Sequence, residues 1–408
     1  MVMKKQKRTF INIGRHNYDF DMNLEKDIYS YLYALRRKQN KSLDVKLKFE
    51  CYGEWKQYVE NKYEKFDSNR LMEFSKYLNC AIGDEKLTNS YWNICIPILI
   101  TILFTKMPEM INELNSFEFE GDVFFAFVFF MLALIIIIVS TIYLLCKIVT
   151  PLFESNIREN MLLNYKEIID CMYGKKRLEE QKYKKIQQIA KETIVYAKKN
   201  IKSGMSLTDI RKMCEDKMFE LGADSFWYWD VGAFVFAGDD TATSVSGREY
   251  KTDDRIIAEN DIITIDLSPQ SDNIWGDYAR TLIVQNGIVV EMDEVTNQEW
   301  KNGLVMEEVL HKELQDFVTP QTTFEELYYH MNQLIQEKGF VNLDFMGNLG
   351  HSIVKKKGDR IYIEKGNHAC LGEVAYFTFE PHISTKGSKY GYKKENIYYF
   401  DGDKLVVV

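Results

Sequence analysis

Apolar residues first recur at helical spacing over Leu24, Ile28, Tyr31, Leu32 and Leu35. Alternation over Leu43, Val45, Leu47, Phe49 and Cys51 then predicts a strand. A second helix follows, with Trp55, Tyr58, Val59, Tyr63 and Phe66 on one side. A third, capped by Ser68, uses Leu71, Phe74 and Leu78. Residues 1–88 thus read as a small α-rich module behind a basic lead-in of Lys4, Lys5, Lys7, Arg8 and Arg15.

The pattern then loses its polar face. Val123 to Cys146 carries no charge, and about 20 apolar residues suffice to cross the hydrocarbon core of a bilayer. A buried core helix rarely runs so long without a polar side. Tyr91 to Phe104 is shorter and contains Pro97, so alone it fits either a span or a re-entrant segment. Charge separates the two. Glu109, Glu113, Glu118, Glu120 and Asp122 lie between the runs, whereas Lys147, Arg158, Lys166, Lys175, Lys176 and Arg177 follow the second. Positive charge stays on the cytoplasmic side. The expectation is a transmembrane hairpin over 89–150, with spans at about 91–107 and 123–146 and an external acidic loop. Both flanking parts are then cytoplasmic.

Residues 151–180 are polar and helical in pattern, a connector. Ile186, Ile189, Ala190, Thr193, Ile194 and Ala197 form a stripe ended by Gly204. Ser206 and Asp209 are spaced as a capping box for a helix on Ile210, Met213 and Leu221, stopped by Gly222. Strands follow from Phe226 to Phe236. The order recurs: a helix over 293–314, a capping box of Thr323 and Glu326, a face of Phe324, Leu327, Met331, Leu334 and Ile335, then Gly339. Such repetition predicts a duplicated α+β domain around an antiparallel sheet over residues 181–408.

Within it, Asp261 to Ile283 reads as two strands joined by a polar turn at Gln270–Asn273. Thr264 and Asp266 share one face, and Asp277, Ala279 and Thr281 share a face of the return strand. Closing the hairpin aims Asp266 and Asp277 the same way. Two such carboxylates repel unless a cation lies between them, they reach solvent at the strand ends, or Arg280 pairs with one.

Composition narrows the chemistry. A net charge of -8 and a pI near 5.5 argue against nucleic acid as partner. Seven scattered cysteines without a C-x-x-C pair give neither a zinc ribbon nor a disulfide framework. No apolar run near residue 1 reads as a cleavable signal. Three residues join the aspartates: His351 in Gly-Asn-Leu-Gly-His-Ser, Glu380 in Phe-Thr-Phe-Glu-Pro-His, and Glu395 in Tyr-Lys-Lys-Glu-Asn-Ile. Four carboxylates and an imidazole suit two divalent cations, which activate water and polarise a carbonyl.

In this order and context, with Asp277 eleven positions after Asp266, residues 181–408 resemble the pita-bread (M24) metallopeptidases. That group contains methionine aminopeptidase, aminopeptidase P, prolidase and creatinase. The resemblance implies a pita-bread fold with duplicated helix-and-sheet halves. Asp266 would chelate one metal, Asp277 and Glu395 would bridge both, and His351 and Glu380 would complete the other. It implies two divalent ions (Mn, Co, Zn or Fe), with Glu380 moving the proton of the attacking water. The expected activity is removal of the N-terminal residue from short peptides.

Departures from the family concern substrate residues. Ser246 stands where the family has a histidine ahead of the first Asp, and Val354–Asp359 lacks its second one. His368 and His382 are the candidates to replace them. Lys393, where the aminopeptidase P and prolidase branch often has Arg, hints at Xaa-Pro substrates. The alternatives are a non-catalytic peptide- or protein-binding module and a creatinase-like C–N hydrolase; a homo-oligomer is compatible with any of them. Phe226-Trp227-Tyr228-Trp229 reads equally as a pocket wall or as strand packing, and Lys355–Lys357 as a solvated turn.

Overall fold

The computed structural model describes residues 18–37, 49, 51–115 and 123–408. The basic lead-in, most of the strand expected over Leu43–Cys51, and Glu118, Glu120 and Asp122 lie outside the described residues. The chain divides into two compact units, Met1–Lys175 and Lys176–Val408.

In the first unit the helices are α1 (Met22–Arg37), α2 (Tyr52–Tyr63), α3 (Ser68–Asn115) and the start of α4 (Val123–Asn200). Trp55, Val59, Tyr63, Leu71, Phe74 and Leu78 are fully buried, as the spacing predicts. Three details differ. Glu25, not Leu24, turns inward on α1, because its carboxylate is received by Lys62 at 2.7 Å, by Tyr58 at 3.4 Å and by Tyr165. The cap of α3 is Asp67, whose carboxylate accepts from Arg70 N at 2.7 Å; Ser68 is already helical. Residues 161–172, read as connector, put Met161, Leu162, Tyr165 and Ile169 into this core.

Pro97 does not break α3, and the 123–146 run lies within α4. The two helices run antiparallel: Ser75 bonds Asp170 at 2.5 Å, Arg158 pairs with Glu85 at 2.7 Å, and Asn89 bonds Glu159 at 2.6 Å. Beyond these contacts Ile94, Ile98, Phe104, Phe129, Ile136 and Val139 are exposed. Among the described residues one helical stretch, Ser68–Lys106, is long and apolar enough to cross a membrane.

In the second unit α4 ends at Asn200, four residues before Gly204. Ser206 caps α5 (Leu207–Leu221), accepting from Asp209 N, and Gly222 ends it in the left-handed region. There follow β1 (Ser225–Phe226), β2 (Ala233–Ala237), β3 (Asp261–Leu267), β4 (Pro269–Ser271), β5 (Ile274–Trp275), β6 (Tyr278–Gln285) and β7 (Ile288–Val290). Sheet β2-β3-β6-β7 is antiparallel, with Asp266 opposite Ala279 and Thr264 opposite Thr281. The predicted faces are therefore aligned. The connection differs from a simple turn: β4 and β5 form a minor hairpin around Asp272 and Asn273, both at positive φ, as a two-residue turn requires.

The second half begins with α6 (Gln298–Phe317), capped by Asn297, and α7 (Phe324–Glu337), which carries the complete Thr323–Glu326 capping box. Then come β8 (Phe340–Asn342), β9 (Ser352–Ile353), β10 (Tyr376–Phe379), β11 (His382–Thr385), β12 (Tyr392–Lys393), β13 (Asn396–Asp401) and β14 (Lys404–Val407). They form sheets β14-β13-β10-β9 and β12-β11-β8. Ile263, Ile265, Leu282 and Val284 enter one core with α5, while Phe377, Phe379, Ile383 and Tyr392 enter another with α6 and α7. Each half thus presents strand ends and polar residues to a shared concave face.

Candidate metal centre

Short backbone contacts bring the five predicted ligands together. Asp266 ends the inward face of β3. Asp277 precedes β6 and is clasped by buried Gln187, whose Nε2 donates to the Asp277 carbonyl at 2.7 Å and whose Oε1 accepts from Asp277 N at 3.1 Å. Glu395 N donates to Ala279 O at 3.0 Å, which binds the segment between β12 and β13 to β6. His351 follows Gly350, where φ is +141° and a Cβ would lie 2.3 Å from Thr378 O. Only glycine permits that approach. Thr378 in turn donates N–H to the His351 carbonyl at 2.7 Å, two residues before Glu380.

Carboxylate oxygens of Asp266, Asp277 and Glu395 lie within 4.8 Å of one another. His351 Nε2 is 3.6 Å from Asp277 Oδ2 and 3.7 Å from Glu380 Oε1. Its Nδ1 is held 3.1 Å from the Ser352 carbonyl, so Nδ1 carries the hydrogen and Nε2 has its lone pair free for the cluster. Glu395 is fully buried, and among the described residues neither of its carboxylate oxygens meets a hydrogen-bond partner. A buried carboxylate without a donor is costly unless a cation faces it. The donor set therefore fits divalent ions: hard carboxylate oxygens converging from three elements, with one imidazole.

The electrostatics agree. Burial, then the charges of Asp266 and Glu380, pushes Asp277 well above the usual carboxylate range. Burial and Asp277 do the same to Glu395. Burial, reinforced by Arg360, holds His351 down to about 3, a neutral ligand at physiological pH. Lys393 was only a weak hint in the sequence, yet it reaches the centre, 2.7 Å from Asp266 Oδ2 and 3.0 Å from Glu380 Oε2. Burial alone would lower its pKa, but Asp266, Glu380 and Glu395 outweigh it and keep the ammonium charged. Arg280 pairs with neither aspartate: it donates to the carbonyls of Ala279 and Glu395.

A cavity of about 620 Å³ opens onto these residues. Ser246 and His382 are on its wall. His382 Nε2 donates to the Thr241 carbonyl at 2.7 Å, and burial followed by the Lys393 charge holds its pKa down to about 4. His368 does not join them. It lies on an exposed loop, its Nδ1 3.0 Å from Glu325 at the start of α7, because the 363–370 segment turns outward to meet that helix. Of the aromatic run, Trp227 and Tyr228 line the cavity, Phe226 packs in the core and Trp229 is exposed. Of the lysine run, Lys355 and Lys356 are exposed, while Lys357 donates to the Trp227 carbonyl. Arg360, Tyr362 and Glu364 also line the cavity. Their alternation in Arg-Ile-Tyr-Ile-Glu was the available signal, since residues two apart in an extended segment share a face.

The sequence matches Metallopeptidase family M24 over residues 181–401. No curated protein matches it. Similar solved structures include an X-Pro aminopeptidase from Thermotoga maritima, 21% identical with a TM-score of 0.48, covering 57% of this chain and 60% of that one. Prolidase from Pyrococcus furiosus is 20% identical with a TM-score of 0.48, covering 56% and 63%. A methionine aminopeptidase from Thermotoga maritima is 15% identical with a TM-score of 0.45, covering 55% and 93%. The chain thus spans under two thirds of the length of the first two.

Proposed function

Because the chain belongs to metallopeptidase family M24, with an α+β pita-bread domain, we propose that it is a membrane-anchored aminopeptidase using two divalent cations. The observation that carries this reading is Glu395, buried with both oxygens unpartnered beside Asp266 and Asp277. Asp266, Asp277, His351, Glu380 and Glu395 are the proposed ligands. Bound there, the ions would supply an activated water and polarise the scissile carbonyl.

The chain's own residues do the rest. Glu380, whose Oε1 faces His351 and whose Oε2 faces Lys393, is the proposed group that would take a proton from the nucleophile and pass it to the leaving amine. His382 and Ser246, on the cavity wall, are the proposed substrate contacts. With Nε2 donating to Thr241 O, His382 keeps Nδ1 as an acceptor. Trp227, Tyr228, Phe234 and Phe236 would exclude water and pack against apolar substrate side chains. Short peptides fit such a cavity better than folded proteins. Lys393, at the position where the aminopeptidase P branch often has Arg, supports Xaa-Pro substrates.

The domain limits proposed are 1–88, 89–150, 151–180 and 181–408, with the hairpin in the membrane and the peptidase domain in the cytoplasm. The exposed apolar side chains on both runs and the antiparallel pairing of α3 with α4 support a hairpin.

The test is the full-length protein in detergent, stripped and reloaded with manganese or cobalt, offered Xaa-Pro and Met-Xaa peptides. Release of N-terminal residues that disappears in Asp277→Ala is expected. Metal binding without turnover on any peptide would favour a recognition module, to which the missing family histidines at Ser246 and over Val354–Asp359 already lend some support.

A further inference from the structure

Gln187 closes a ring of two hydrogen bonds around the backbone of Asp277. Its Nε2 donates to the Asp277 carbonyl at 2.7 Å, and its Oε1 accepts from Asp277 N at 3.1 Å. Only this orientation of the amide satisfies both groups. Gln187 is 1% exposed and shares the buried face of α4 with Ala190 and Ile194. An amide there is costly unless its donor and acceptor groups are both paired, and Asp277 pairs them. We propose that Gln187 is a positioning residue for the metal site: by fixing the backbone of Asp277, it sets where that carboxylate stands.

The surrounding contacts give the amide this role. Gly276 N donates to Pro269 O at 2.8 Å, and Trp227 Nε1 donates to Gly276 O at 2.9 Å. These bonds hold the residue before Asp277, while pairing of Tyr278 with Leu267 holds the residue after it. Asp277 lies between them, one position ahead of β6, and its own N–H and C=O go to Gln187. A Cβ on Gly276 would lie 3.0 Å from Gln187 Oε1 and 3.4 Å from the Ile186 carbonyl, so α4 rests directly on this backbone. The Asp277 carboxylate in turn stands 3.6 Å from His351 Nε2 and within 4.8 Å of oxygens of Asp266 and Glu395. A shift at Asp277 therefore disturbs its distances to three other proposed ligands at once. Gln187 and Asp277 both belong to the second unit. Since α4 is also the helix that holds the 123–146 run, the chain following that run contributes to the site.

The inference rests on the metal reading of the site, and the experiment separates the two. Stripped full-length protein in detergent and its variants are titrated with Co²⁺, with absorption bands, urea unfolding and peptide turnover recorded. Gln187→Met keeps the length of the side chain and loses both bonds. It should bind Co²⁺ ~10- to 100-fold more weakly, the range for residues that support metal ligands, with altered bands and a lower kcat at unchanged KM. Lys191→Met removes a different α4 contact, from Lys191 Nζ to the Val408 carbonyl. It should lower stability in urea but leave Co²⁺ affinity and bands unchanged. Should Gln187→Met fail to fold, Gly276→Ala, whose methyl presses on Oε1, should weaken Co²⁺ binding severalfold. Normal Co²⁺ affinity and bands in folded Gln187→Met, or in Gly276→Ala where it alone folds, would overturn the inference. Equal losses in Lys191→Met and Gln187→Met would overturn it too, since helix docking and not the amide would then hold Asp277. No Co²⁺ bound by the unaltered protein would overturn the metal reading itself.

Discussion

Arg280 Nη1 donates to the backbone carbonyl of Glu395 at 2.7 Å, and its Nη2 bonds Asn396 Oδ1 at 2.7 Å. The guanidinium thus braces the backbone that carries Glu395 and leaves Asp266 to Lys393. Hydrogen bonds from a charged group are worth about 1.5–3 kcal/mol each. Arg280→Met should therefore destabilise the second unit by about 3 kcal/mol in urea unfolding. It should also weaken metal binding, because Glu395 loses its support. Unchanged metal affinity would show that Glu395 is held by its own N–H bond to Ala279 alone.

Gly350 shows how a backbone requirement reaches the chemistry. At φ +141° with Thr378 O 2.3 Å from a notional Cβ, Gly350→Ala must push β10 away or shift His351. Strained backbone of this kind costs on the order of 1–3 kcal/mol before any steric contact is added. The expected result is a loss of at least about 2 kcal/mol and a weakened His351 metal position, checked by urea unfolding and Co²⁺ titration. A variant of normal stability and affinity would mean that the Gly-His turn relaxes freely.

Glu395→Gln should part stability from activity. In metal-free protein the Asp277 and Glu395 carboxyls are buried against Asp266 and Glu380. Replacing one acid by a neutral amide relieves that crowding, so stability in EDTA should rise by about 1–2 kcal/mol. Peptide turnover should fall by on the order of 100-fold or more, as for loss of a ligand that orients the reacting groups. A variant that loses stability in EDTA would show that Glu395 is already neutralised by other means.

Much of the site was legible because its chemistry is local to strands. Period-two alternation places Thr264 with Asp266 and Asp277 with Thr281, and pairing in register brings both aspartates to one face. Capping residues at Ser206 and Thr323 mark helix starts through their own hydrogen bonds. What failed to show were contacts closed by tertiary structure. Glu25 turns inward only because Lys62 and Tyr165 arrive from elsewhere in the chain. His368 was a candidate by residue type, but the loop carrying it is drawn to Glu325. Lys393 faces the carboxylates because β12 pairs with β11, a relation that spacing along the chain does not reveal.

Glu307 on α6 supplies a pH dependence away from the metal ligands. It is buried with both carboxylate oxygens unpartnered among the described residues, and burial raises it well above 4.5. Between the unfolded and folded values the folded chain holds the extra proton. The stabilisation is full below about pH 4.5 and declines as pH rises toward the folded value, by up to about 1.4 kcal/mol per pH unit. Glu307→Gln cannot ionise and should lose that slope. Urea unfolding should find the variant near the unaltered protein at pH 5 and at least about 1 kcal/mol more stable at pH 8. No gain at pH 8 would mean that Lys394 and Arg280 already stabilise the ionised form.

The membrane reading predicts where chain segments can be reached. An apolar run that spans should keep the full-length chain in the membrane fraction through alkaline carbonate, whereas a surface helix would be extracted. In a background without native cysteines, Asn115→Cys, at the end of α3, should react with a membrane-impermeant maleimide in intact cells. Asn200→Cys, at the end of α4, should react only after permeabilisation if the basic residues after Cys146 keep that side in the cytoplasm, as the proposed topology has it. Placing arginine at Ile136, exposed midway along the second run, costs about 2.5–3.5 kcal/mol at a bilayer centre and should reduce insertion. Labelling of both cysteines only after permeabilisation would mean that the 123–146 run does not cross the bilayer. Labelling of both without it would place the peptidase domain outside the cell.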